Sequence, residues 1–127
     1  MILLSVNPPY ACLLVDGEKR IEWRKRMLPC GKAAVYETKK NGGCGMIIGY
    51  VWIGGKLQTV VFDNVVKIPD GVLKAGCLSK DDLNKYKGKG VLFANVTFAF
   101  ERIPIPLKLS EIGVKRAPQS WCYVVGV

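Results

Sequence analysis

The chain contains no histidine in 127 residues. That absence excludes Ser-His-Asp and Cys-His hydrolases, paired-histidine ribonucleases, and zinc deaminases, whose ligand signature begins with His. Acidic residues are scarce, 10 against 19 Lys and Arg, which leaves a formal charge of +9. Long apolar runs are missing as well. None reaches the roughly 18 residues of a membrane-spanning helix, so no membrane is expected as a partner. The start, Met1-Ile2-Leu3-Leu4-Ser5-Val6, has no basic leader and meets Asn7-Pro8-Pro9 at once, so no signal peptide is expected.

Paired cysteines are also lacking. Cys12, Cys30, Cys44, Cys77 and Cys122 are odd in number, scattered, and form no Cys-x-x-Cys unit. Zinc sites usually show ligands two to four residues apart, so no metal and no cofactor is expected. Without a secretion signal, a disulfide framework is not expected either. The expectation is reduced, mostly buried thiols in a cytoplasmic protein, with Cys30 and Cys44 exposed beside Gly-rich turns.

What is present is apolar mass. Hydrophobic residues make up 50% of the chain, enough for one packed domain spanning residues 1–127. Met1 to Val6 reads as a buried strand. Asn7 suits a helix N-cap with Pro8 at the first helical position, and Asp16-Gly17 ends that helix. Ile21 and Trp23 alternate with Arg20, Glu22 and Arg24, the pattern of a half-buried strand. Ala33 to Thr38, Met46 to Ile53, and Leu57 to Val66 read as further strands, the last one divisible at Asp63-Asn64. Asp70 to Ala75 suits a helical turn, and Ser79 with Asp82 resembles a capping box for a helix through Tyr86. Val91 to Phe100 is the clearest strand. Ile103 to Leu107 is limited by proline to an edge or a connection. Ser110 to Gly113 suits a short turn of helix, and Trp121 to Val125 closes as a strand. These elements predict an α+β fold, a closed or nearly closed β-barrel of about five to seven mostly antiparallel strands with two or three short helices.

Two stretches carry a family resemblance. One is Gly17-x-Lys19-x-x-Glu22-x-Arg24, after a strand and a proline-started helix; the other is Ala117-Pro118-Gln119-Ser120-Trp121. Ile48-Gly49-Tyr50 and Tyr86-x-Gly88 stand between them in matching order. Together they resemble the ASCH domain, a branch of the PUA-like superfamily, over nearly the whole chain, in the small single-domain form of bacteria and phages. The resemblance implies a PUA-like barrel with a basic cleft beside the Gly-x-Lys element, and RNA or a nucleotide as ligand. Superfamily members include RNA-binding modules, readers of modified bases, ribonucleases and amidohydrolases of acetylated cytidine, so the fold is better constrained than the reaction.

Five of the cations, Lys19, Arg20, Arg24, Lys25 and Arg26, lie inside or beside the first motif. On a strand and its following turn they would span roughly 25 Å, a footprint for several phosphates. Lys39, Lys40 and Arg116 extend it, and Gln119 and Trp121 are candidates to read or stack on a base. The same residues also suit a solvated basic face. Trp23, in phase with Ile21, reads as core. If the site is catalytic, Lys19, Glu22 and Ser120 are the candidates, with Tyr10 or Tyr123 supplying a phenol. A lysine base would need burial or neighbouring cations such as Arg20 and Arg24 to lower its pKa. In the amidohydrolase branch a threonine stands three residues after the motif lysine. Here that position is Glu22, which cannot act as a hydroxyl. The readings are therefore RNA or nucleotide binding first, then a metal-independent ribonuclease or amidohydrolase, then a protein-interaction module meeting an acidic partner.

Overall fold

A computed structural model describes residues 1–55 and 58–125. The strands are β1 (Ile2–Val6), β2 (Ile21–Arg24), β3 (Gly31–Glu37), β4 (Met46–Ile53), β5 (Val60–Phe62), β6 (Leu92–Leu107) and β7 (Trp121–Tyr123). The helices are α1 (Tyr10–Val15), α2 (Asp70–Gly76) and α3 (Lys80–Lys87). The sheet runs β2-β6-β4-β3-β1-β7, with β5 also on β6. Among the described residues only β1 and β3 pair in parallel; the other pairings are antiparallel. The sheet curls into a half-barrel flanked by three helices, an α+β fold.

β1 explains the curl's centre. Ile2, Leu4 and Val6 enter one core with Leu14, Val15 and Val51, while Leu3 enters another with Ala34 and Ile47. A strand buried on both faces reads as a near-continuous apolar run, and Met1 to Val6 is one interrupted only by Ser5. A third core, built on Trp23, Ile68, Leu83 and Leu92, joins β2 and β6 to α2 and α3.

Several expectations shift. α1 starts at Tyr10, after both prolines, and Asn7 instead accepts a hydrogen bond from Thr38 Oγ1 at 2.6 Å. The strand around Trp23 is only Ile21–Arg24, and Glu22, expected to face outward, is buried. Leu57 lies outside the described residues; the following strand is Val60–Phe62, ended by Asn64, whose side chain caps a 3-10 turn at Val66 N. β6 runs on through Pro104 and Pro106 to Leu107. Both prolines fall where its register with β4 breaks, between Arg102↔Gly49 and Leu107↔Ile47, so no regular ladder bond is demanded of them. None of the five cysteines is buried: Cys12, Cys77 and Cys122 are half-buried, Cys30 and Cys44 exposed, and all are free.

Candidate nucleic-acid interface

The first motif is stitched into place from three sides. Gly17, at φ +80°, ends α1 in the left-handed region open to glycine. Glu18 N and Lys19 N then donate to Leu13 O, Arg20 N donates to Ala75 O of α2 at 2.7 Å, and Thr97 N of β6 donates to Arg20 O. The Lys19 side chain is thereby turned inward and is 2% exposed. Its Nζ donates to Ile21 O and to Gly76 O, both at 2.6 Å, and lies 3.5 Å from Glu22 Oε1. Three acceptors match the three N–H groups of an ammonium. Gly76 is required here for its size, because a Cβ at that position would collide with the Trp23 indole.

Glu22 is shared between two cations. Its Oε1 faces Lys19, while its Oε2 accepts from Arg24 Nη2 at 2.7 Å and Arg24 Nε at 3.1 Å. Arg24 goes on to Ser5 O through Nη2 at 2.8 Å and to Ser120 Oγ through Nη1 at 3.0 Å. Ser5 closes the ring, its Oγ donating to Pro118 O at 2.7 Å and its N to Ser120 O at 2.9 Å. The two sequence motifs, 96 residues apart at Arg24 and Ser120, are thus one hydrogen-bonded unit. Asn95 pins β2 from behind: its Nδ2 donates to Glu22 O and its Oδ1 accepts from Leu28 N.

This unit forms one side of a cleft of about 450 Å³. Tyr10, Lys19, Glu22, Arg24, Gln119 and Ser120 line it, together with Ser5, Asn7 and Thr38. Leu78, Asp82 and Tyr86 come from the α2–α3 side. Two cations and one carboxylate leave this wall with one net positive charge in a poorly solvated place, where charges act most strongly, while Asp82 brings a second carboxylate to the lining from α3. Burial pushes the Lys19 pKa down; Glu22 opposes the shift, and Arg24 adds to it only weakly. The main cause is burial, one of the two causes expected, and cationic crowding by Arg24 is minor.

The remaining candidates separate by position. Lys25 and Arg26 line a second cavity of about 260 Å³, as do Trp121, Tyr86, Arg24 and Ser120. Arg20, Lys39, Lys40 and Arg116 are exposed and line neither cavity. Of the two phenols considered, Tyr10 lines the cleft, with its ring centroid 5.7 Å from Lys19 Nζ. Tyr123 is 67% exposed, packs edge-on against Trp121, and does not line the cleft. Trp23 belongs to the core as expected, and its buried Nε1 has no acceptor among the described residues. Sequence reasoning missed Ser5, Thr38, Asp82 and Tyr86. Ser5 alone had a signal, as the polar residue inside an apolar run. No group of three or more Cys, Asp or Glu side chains is placed to hold a metal among the described residues.

The backbone is similar to the crystal structure of ASCH from Zymomonas mobilis, with a TM-score of 0.80 at 24% identity, over 97% of this chain and 86% of that one. The chain has the ASCH fold. Serine-to-alanine and tyrosine-to-phenylalanine mutants of the Zymomonas ASCH protein match at TM-score 0.79 and 23% identity, each over 97% of this chain and over 87% and 88% of theirs. No family model and no curated protein matches the sequence, so the ASCH likeness rests on the backbone.

Proposed function

We propose that residues 1–127 act as a single ASCH domain that binds RNA, or a nucleotide within RNA, in the cleft beside Lys19, Glu22 and Arg24. The observation that carries this reading is the cleft's charged wall: a buried cluster with net positive charge, flanked by Lys25 and Arg26 and open at Gln119 and Ser120. Phosphate contacts of this kind release counterions, so affinity for single-stranded RNA should fall with salt at a log–log slope of about −0.7 per neutralised phosphate. Arg24→Ala should weaken binding to every sequence, with folding checked by circular dichroism, whereas Gln119→Ala should change base preference. An affinity indifferent to salt would sink the reading. Among the described residues no helix is long and apolar enough to cross a membrane. Five free thiols suit a cytoplasmic setting.

One observation favours catalysis as a second reading: Lys19, Tyr10 and Ser120 line the same cleft. A ribonuclease built on them would be metal-independent, with a buried lysine of lowered pKa and two hydroxyls. Amidohydrolase chemistry fits less well, because both oxygens of Glu22 are engaged by Lys19 and Arg24. The ribonuclease predicts RNA cleavage in the presence of chelator that Lys19→Ala abolishes. Cleavage that persists in that variant would belong to a contaminant.

A further inference from the structure

The two cavities meet. Arg24, Tyr86 and Ser120 line both, so the two cavities adjoin across a shared wall. Alone, the smaller one falls below the roughly 300–1,000 Å³ of a self-sufficient small-molecule site. As an extension of the larger one, it has the parts of a flanking-nucleotide site: the Trp121 ring, Tyr86 with Lys25 Nζ 5.2 Å from its centroid, and Arg26.

The shared wall also carries the donors a phosphate between two nucleotides would need. Arg24 uses Nε and both hydrogens of Nη2 on Glu22 and Ser5, and one hydrogen of Nη1 on Ser120. A guanidinium has five N–H groups, so one remains on Nη1. Ser120 Oγ accepts from that same nitrogen, and its own O–H has no acceptor among the described residues. Two unused donors thus sit together, beside the cluster's net positive charge, on the line dividing the cavities. The two non-bridging oxygens of an internucleotide phosphodiester accept without donating, which suits this pair of donors.

We propose, resting on the RNA-binding reading above, that the smaller cavity is a second nucleotide subsite. The natural ligand is then an RNA chain of at least two nucleotides, with its internal phosphate on Arg24 Nη1 and Ser120 Oγ and the flanking base against Trp121. A free mononucleotide fills only the larger cavity. Stacking one base on an aromatic ring, with its phosphate contact, should raise affinity about tenfold or more.

The test measures binding of the full set of 2′-fluoro dinucleotides, which resist cleavage through the 2′ position, against the nucleoside monophosphates, by calorimetry on the intact chain. The expected result is a gain of about tenfold for the best dinucleotide over its mononucleotide. Trp121→Ala should drive the dinucleotide-to-mononucleotide affinity ratio towards one. Because Trp121 packs partly on the core, Arg26→Gln serves as a second variant on an exposed residue and should lower the same ratio. If mononucleotides bind and dinucleotides bind no better, the second subsite is overturned while the RNA-binding reading stands. If neither variant lowers the ratio, the subsite lies elsewhere and the assignment to this cavity fails. If no ligand of either length binds, the RNA-binding reading fails and takes the subsite with it.

Discussion

Two arginine–carboxylate pairs in this molecule share the same shortest contact, 2.7 Å, in opposite surroundings. Arg102 meets Asp16 as a fork, Nε to Oδ1 and Nη2 to Oδ2, with the side chains 46% and 42% exposed. Arg24 and Glu22 are 13% and 6% exposed, and Lys19 adds a third charge from below. By geometry alone the exposed pair is the better one, since both its carboxylate oxygens serve one guanidinium. Water reverses that ranking of consequences. A solvated pair contributes about 0–1 kcal/mol, while a buried one is costly to desolvate and costlier to leave half-made. The buried cluster persists because its polar atoms have partners, and it stands in the wall of the cleft. The exposed pair, joining the end of α1 to β6, is an ordinary surface contact.

The largest effect should come from Glu22. Glu22→Gln leaves Lys19 and Arg24 buried with no counter-charge, and should cost about 3–5 kcal/mol of stability, read from urea denaturation midpoints at unchanged slope. A loss near that of a surface pair would mean the cluster is effectively solvated, and the contrast would collapse.

Lys19→Met should cost less, about 1–3 kcal/mol, because it removes a charge instead of stranding one. What it strands are acceptors: Ile21 O, Gly76 O and Glu22 Oε1. Its pH dependence has a definite sign. Burial holds the Lys19 pKa below the ordinary 10.5, so between the lowered value and 10.5 the unfolded chain binds more protons than the folded one. Stability contributed at Lys19 therefore rises with pH through that window, and the burial penalty is fully present below it. The stability difference between the wild type and Lys19→Met should grow as pH climbs towards 10.5. A flat difference would mean that Lys19 titrates as a solvated lysine.

How much of this was legible beforehand depended on how local its cause was. β4 was read to the residue as Met46–Ile53, because an apolar run bounded by glycine turns carries its own limits. The extension of β6 through Pro104 and Pro106 was hidden, since it depends on where a neighbouring strand loses register. The Lys19, Glu22 and Arg24 spacing was visible as a motif, but the burial of Lys19 was not. That burial needs Gly76 O, 57 residues away, brought in by α2 packing on Trp23. α3 was recognised from its Ser79 cap, yet nothing local marked Asp82 and Tyr86 as a wall of the cleft.

The smallest effect should be at the exposed pair, and it completes the comparison. Asp16→Asn should cost no more than about 1 kcal/mol, and less still at 1 M salt, where screening acts within about 3 Å. The Arg102 hydrogen bond holds the Asp16 carboxyl below its usual 3.8, against a small opposing effect of burial. For a carboxylate with a lowered folded pKa, the stabilisation is present in full above 3.8 and disappears as pH falls through the lowered value. Denaturation midpoints of wild type and Asp16→Asn should therefore differ slightly at neutral pH and converge in strong acid. If Asp16→Asn instead cost as much as Glu22→Gln, burial would not be what separates the two pairs, and the charged wall of the cleft would lose its special standing.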